Sequence, residues 1–134
     1  MKNILVLDDN RSILDVLSSG LCRHLHDCKI MTAHDEQTGM NILRSVPIDL
    51  ILTDLDIPAA KGYGFIEHAV KHYPAIPLCV MTGNCSSSVR ERLEVLGISR
   101  YIEKPFQLDS LAEMITGELA RQRTTQPVHG SGDA

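Results

Sequence analysis

The period of the apolar positions changes repeatedly along the chain. Ile4 to Leu7 is an unbroken apolar run closed by Asp8 and Asp9, the pattern of a parallel strand buried on both faces. Ile13, Leu14, Leu17, Leu21 and Leu25 then recur at helical spacing and predict an amphipathic helix over 11–25. Residues 29–33 suit a second strand, and 36–44 a short helix with Met40 and Leu43 facing inward, before Pro47. Asp49 to Asp54 is the clearest strand, apolar at its centre and acidic at its C-terminal end. Pro58 and Gly62 mark a loop before a helix over 63–72 carrying Phe65, Ile66, Ala69 and Val70. Residues 78–81 form a fourth strand, broken by Gly83-Asn84. Ser86 to Ser88 offer caps to a helix bearing Val89, Leu93 and Leu96, and Gly97 stops it. Residues 98–102 read as a fifth strand, and Leu108, Leu111, Met114 and Ile115 lie on a last helix.

Five strands alternating with five helices imply an α/β fold with a parallel sheet covered on both faces. The simplest arrangement is a flavodoxin-like, doubly wound (βα)5 sheet with strand order 2-1-3-4-5. Residues 1–121 form this single domain. Over 122–134 the composition shifts to Gln, Thr, Pro, Gly and Ser, which predicts a disordered tail or a truncated linker. Met1 directly before the first strand suits a natural N-terminus, yet the tail equally suits a linker cut short.

Composition narrows the function classes. The 134 residues carry a net charge of −4, so no electrostatic argument favours nucleic acid. The first apolar run meets Asp8-Asp9 too soon for a signal peptide, and no stretch approaches a membrane span. A cytoplasmic protein that does not engage membranes is expected. Cys22, Cys28, Cys79 and Cys85 form no C-x-x-C pair and read as reduced thiols. His68 and His72 have the i,i+4 spacing of a helical metal pair, but no third ligand stands nearby, so they read as an exposed helix face.

In a sheet of this kind ligands bind beyond the carboxyl ends of the strands. The polar residues there are Asp8-Asp9, Asp54, Thr82 and Lys104. Clustered carboxylates repel one another unless a cation joins them, and as hard oxygen donors they suit Mg²⁺. A carboxylate can also attack phosphorus to form an aspartyl phosphate. The developing charge then calls for neutralising groups such as Mg²⁺, the Lys104 ammonium and the Thr82 hydroxyl.

With those residues in that order, residues 2 to about 121 resemble the receiver domains of two-component response regulators. The resemblance implies that Asp54 is the phosphoacceptor. It places Mg²⁺ on Asp8, Asp9 and Asp54, with the backbone carbonyl of Asp56 as a further ligand, and the phosphoryl group against Thr82 and Lys104. It makes Thr82 and Tyr101 the switch pair and the fourth helix, fifth strand and fifth helix (about 85–121) the signalling or dimerising surface. The implied donor is a sensor histidine kinase or phosphotransfer protein. The implied output is a downstream protein partner or an output domain absent from this chain. No enzyme activity is expected beyond self-catalysed phosphoryl transfer and slow autodephosphorylation.

The sequence departs from that family at Ile57 to Gly62, where Lys61 brings a positive charge near the pocket, and at Gly83, where a small side chain is usual. Asp56 and Asn84 each stand two residues beyond a site residue and are expected to tune dephosphorylation. Taken singly the motifs are bland: Asp8-Asp9 as a strand end with a helix cap, Thr82-Gly83 as a turn, Lys104-Pro105 as a solvated loop, Tyr101 as a half-buried strand residue. Two rival functions stay open at this point. Asp54-Leu55-Asp56 resembles the D-x-D of haloacid-dehalogenase-type phosphatases, though it follows the third strand and lacks their later acidic pair. A phosphate-independent receiver-like binding module is the other.

Overall fold

The computed structural model describes residues 1–56 and 61–130, with side chains described for 1–56 and 63–121. Five strands alternate with five helices: β1 (Lys2–Leu7), α1 (Arg11–His24), β2 (Cys28–Ala33), α2 (Glu36–Ser45), β3 (Leu50–Asp54), α3 (Lys61–His72), β4 (Leu78–Thr82), α4 (Ser87–Val95), β5 (Arg100–Glu103) and α5 (Leu108–Gly130). The strands pair in parallel in the order β2-β1-β3-β4-β5, the topology expected from the alternation.

Strand periodicity of two divides the core into two layers. Ile4, Val6, Leu50, Leu52, Cys79 and Met81 pack with Leu14, Leu17, Leu21, Leu111 and Ile115, which places α1 and α5 on one face. Leu5, Leu7, Ile51 and Val80 pack with Leu43, Phe65, Ile66, Ala69 and Leu93, which places α2, α3 and α4 on the other. Every residue of β3 and β4 is buried, as expected for central strands covered twice.

Side-chain caps set the helix starts. Asn10 accepts from the amides of Ser12 and Ile13 at α1, Asp35 from that of Thr38 at α2, and Ser86 from that of Val89 at α4. Each satisfies amides that a helix leaves without partners.

Most element boundaries shift by a residue or two from the sequence reading, and the start of the fifth strand shows why. The fifth strand begins at Arg100, not at 98. Gly97, at φ +86°, donates to the Glu94 carbonyl, and Ile98 donates to that of Leu93, a Schellman closure of α4. Ile98 is therefore consumed by the helix stop. At the other end α5 spans Leu108–Gly130, reaching into the segment 122–134 whose composition reads as a tail or truncated linker.

Candidate functional site

The site lies where β1, β3, β4 and β5 release their C-terminal ends. Asp8 follows β1 directly and is 1% exposed, and Asp54 ends β3 at 2% exposure. Burying two carboxylates side by side is costly without a compensating charge. Ligand atoms of Asp8, Asp9 and Asp54 all lie within 4.8 Å of one another, and Asp9 is exposed. Asp8 Oδ1 accepts the Asn10 amide at 2.9 Å. Its other oxygen, Oδ2, is buried with no hydrogen-bond partner among the described residues. Burial, then the nearby charges of Asp54 and Asp9, push the Asp8 carboxyl up to about 6 against the pull of the Asn10 amide and Lys104. Such a strained, oxygen-only, partly open cluster suits a hard divalent cation that keeps several waters, which is the coordination habit of Mg²⁺.

Lys104 supplies the counter-charge. Its Nζ lies 2.9 Å from Asp54 Oδ1 and 3.9 Å from Asp56 Oδ2. Burial works against the ammonium, but the hydrogen bond and attraction of Asp54, then Asp8 and Asp56, outweigh it and raise its pKa. Lys104 is therefore cationic across the physiological range. The fold aims it: the Lys104 amide donates to the Thr82 carbonyl at 2.8 Å. Asp54 Oδ1 also accepts the Asp56 amide at 3.1 Å, so two donors fix the plane of the carboxylate.

Asp56 takes a part that the sequence did not reveal. Its Oδ1 accepts the Thr82 hydroxyl at 3.0 Å, and its Oδ2 accepts the Gly83 amide at 2.7 Å. Thr82 Oγ1 in turn accepts the Asn84 amide at 3.0 Å, and Asn84 Oδ1 accepts the Ser86 amide at 3.1 Å. A chain of hydrogen bonds thus links the site to the start of α4. No spacing rule pairs residues 56 and 83, and only their shared sheet edge brings them together.

The geometry gathers Asp8, Asp9, Asp54, Asp56, Thr82, Asn84 and Lys104 at one edge. Tyr101 lies apart on β5, paired in register with Val80, and is 36% exposed on the surface beside α4 and α5. The departures at Ile57 to Ala60 fall outside the described residues, as does the Lys61 side chain. The His68 and His72 rings lie 4.6 Å apart between centroids, tilted by 44°, and no metal-ligand group among the described residues includes them. Sequence reasoning missed Asn10, whose position just before the first helix was a readable cap signal. It also missed buried Glu118, bridged by Arg100 and Arg121; no local pattern marks that trio.

Comparison with known proteins gives a consistent family. A family model described as the response regulator receiver domain matches residues 4–116. The chain is 28% identical to the response regulator GtcR of Aneurinibacillus migulanus, covering 90% of this chain and 48% of that protein. It is 29% identical to a probable cyclic di-GMP phosphodiesterase of Vibrio cholerae, covering 90% of this chain and 27% of that protein. The chain thus spans about half or less of the length of these curated relatives. A crystal structure of a CheY-like response regulator receiver domain from Methanospirillum hungatei superposes with a TM-score of 0.84 at 27% identity, covering 92% of this chain and 98% of that one.

Proposed function

The chain belongs to the response regulator receiver domain family, and from that premise we propose that Asp54 accepts the phosphoryl group, with Asp8, Asp9 and the Asp56 carbonyl completing a Mg²⁺ site. The observation that carries this reading is the buried Asp54 carboxylate, held by Lys104 Nζ at 2.9 Å beside two further acids. The family's signalling role favours it over a dehalogenase-type phosphatase, whose D-x-D would follow the first strand.

In the proposed reaction an Asp54 carboxylate oxygen attacks the phosphorus of a phosphohistidine. The new O–P bond forms as the N–P bond breaks, and the imidazole nitrogen departs with the electron pair. The Asp56 amide and Lys104 hold the carboxylate in its attacking orientation. Lys104 and the Thr82 hydroxyl then meet the phosphoryl oxygens. Mg²⁺ held by Asp8, Asp9 and the Asp56 carbonyl would neutralise the charge that develops on the phosphoryl group. Asp56 and Asn84 flank the route of hydrolytic water and set the lifetime of the product.

The readout proposed is movement of Thr82 toward the phosphoryl group, which draws Tyr101 inward and reshapes the α4-β5-α5 surface. That surface would bind a downstream partner, an attached output domain or a second copy of the chain. The donor would be a histidine kinase or a phosphotransfer protein. No described helix is long and apolar enough to cross a membrane, and a cytoplasmic place follows from the proposed partners.

Labelling with acetyl phosphate tests the chemistry. Peptide mapping should find a hydroxylamine-labile phosphoryl group on the segment containing Asp54, formed with Mg²⁺ and absent with a chelator. Labelling of another residue, or labelling that survives chelation, would contradict the assignment.

A further inference from the structure

Three donors from the β4 and β5 ends converge around Asp56, two residues beyond Asp54: the Thr82 hydroxyl, the Gly83 amide and the Lys104 ammonium. In this state they are not waiting for a ligand. The Asp56 carboxylate takes the first at 3.0 Å and the second at 2.7 Å, and it lies 3.9 Å from the third. An anion already sits among the groups that a phosphoryl group on Asp54 would need. We propose that Asp56 is an internal placeholder for the phosphoryl group, which must be displaced before Thr82 and Gly83 can turn to the phosphorylated Asp54. The inference rests on Asp54 being the phosphoacceptor.

The chemistry makes the exchange obligatory. A threonine hydroxyl has one proton to donate, so Thr82 cannot serve Asp56 and a phosphoryl oxygen at once. Its alternative acceptor, the Asn84 carbonyl, is farther at 3.3 Å and uncharged. Hydrogen bonds to a carboxylate are about twice as strong as neutral ones, which favours Asp56 while Asp54 is bare. A phosphoryl group on Asp54 reverses the preference, because it brings more charge and repels the neighbouring carboxylate. Asp56 has somewhere to go, since its side chain is 40% exposed.

The consequence is a built-in opponent of phosphorylation. Asp56 holds Thr82, and through Asn84 and Ser86 the start of α4, in the unphosphorylated arrangement. Removing its charge should strengthen the grip of the site on a phosphoryl group and pre-release the β4-α4 loop.

Beryllium trifluoride, an unhydrolysed stand-in for the phosphoryl group, separates this effect from product lifetime. With saturating Mg²⁺, Asp56→Asn should bind it about tenfold more tightly than the wild type. The gain should shrink in a Thr82→Ala background, where half of the held pair is gone. Without Mg²⁺ or fluoride, the Gly83 amide proton should shift upfield in Asp56→Ala by nuclear magnetic resonance. Equal binding by wild type and Asp56→Asn would overturn the placeholder while leaving the phosphoacceptor intact. A gain that persists undiminished in the Thr82→Ala background would also overturn it, because removal of charge alone would then suffice. If neither wild type nor variant takes up the fluoride complex, the reading of Asp54 fails and the placeholder goes with it.

Discussion

At the scale of single residues, burial makes one carboxylate uncomfortable while a lysine makes another ready. Asp8 is raised to about 6, first by burial and then by its acidic neighbours. Its protonated form is thus favoured in the folded chain, a contribution fully present below the ordinary value of 3.8 and lost as pH rises through about 6. Unfolding midpoints of the metal-free protein should therefore show Asp8→Asn more stable than wild type at pH 7.5, with the gain fading toward pH 4. Parallel pH profiles would contradict it. The same linkage predicts that Mg²⁺ affinity weakens as pH falls through 6, because proton and metal compete for Asp8; calorimetric titration at pH 7.5 and 5.5 reads this directly. Lys104 works in the opposite sense, since its pKa is raised by Asp54 and it keeps its charge. Lys104→Met should leave Asp54 buried without a counter-charge and slow phosphoryl uptake at least about tenfold, measured as initial labelling rate.

Secondary-structure elements were legible where one physical rule dominated. β3 and β4 are uninterrupted apolar segments because helices cover both faces, and α1 shows its buried stripe at Leu14, Leu17 and Leu21. Boundaries were harder wherever a closure borrows residues from the next element, as Ile98 does at the end of α4. Two glycines show why residue type alone is insufficient. A Cβ at either Gly97 or Gly117 would meet nothing within 4 Å, but Gly97 has φ +86° and Gly117 sits inside α5. Gly97→Ala should cost about 1–2 kcal/mol through backbone strain. Gly117→Ala should stabilise by up to about 1 kcal/mol through helix propensity. Urea denaturation of the two variants checks the opposite signs; a Gly97→Ala variant no less stable than the wild type would mean that the Schellman closure does not govern the end of α4.

On the scale of the whole molecule, the fold is what makes the site readable. Asp8, Asp54, Thr82 and Lys104 are far apart in the chain, yet each follows or ends a parallel strand, and parallel strands release their ends at one edge. That rule makes the acidic cluster and its lysine legible from the amino-acid sequence alone. It could not reveal that Asp56 holds both Thr82 and Gly83, because side-chain pairing across two loops has no sequence period. A receiver should take up one phosphoryl group per chain from acetyl phosphate and should not sustain turnover of p-nitrophenyl phosphate. Continuous release of p-nitrophenol lost in Asp54→Asn would restore the phosphatase reading. The most direct test of the central claim is intact mass after incubation with Mg²⁺ and acetyl phosphate. The wild type should gain the mass of one phosphoryl group and Asp54→Ala should gain none; an equal gain in both, or none in the wild type, would contradict it.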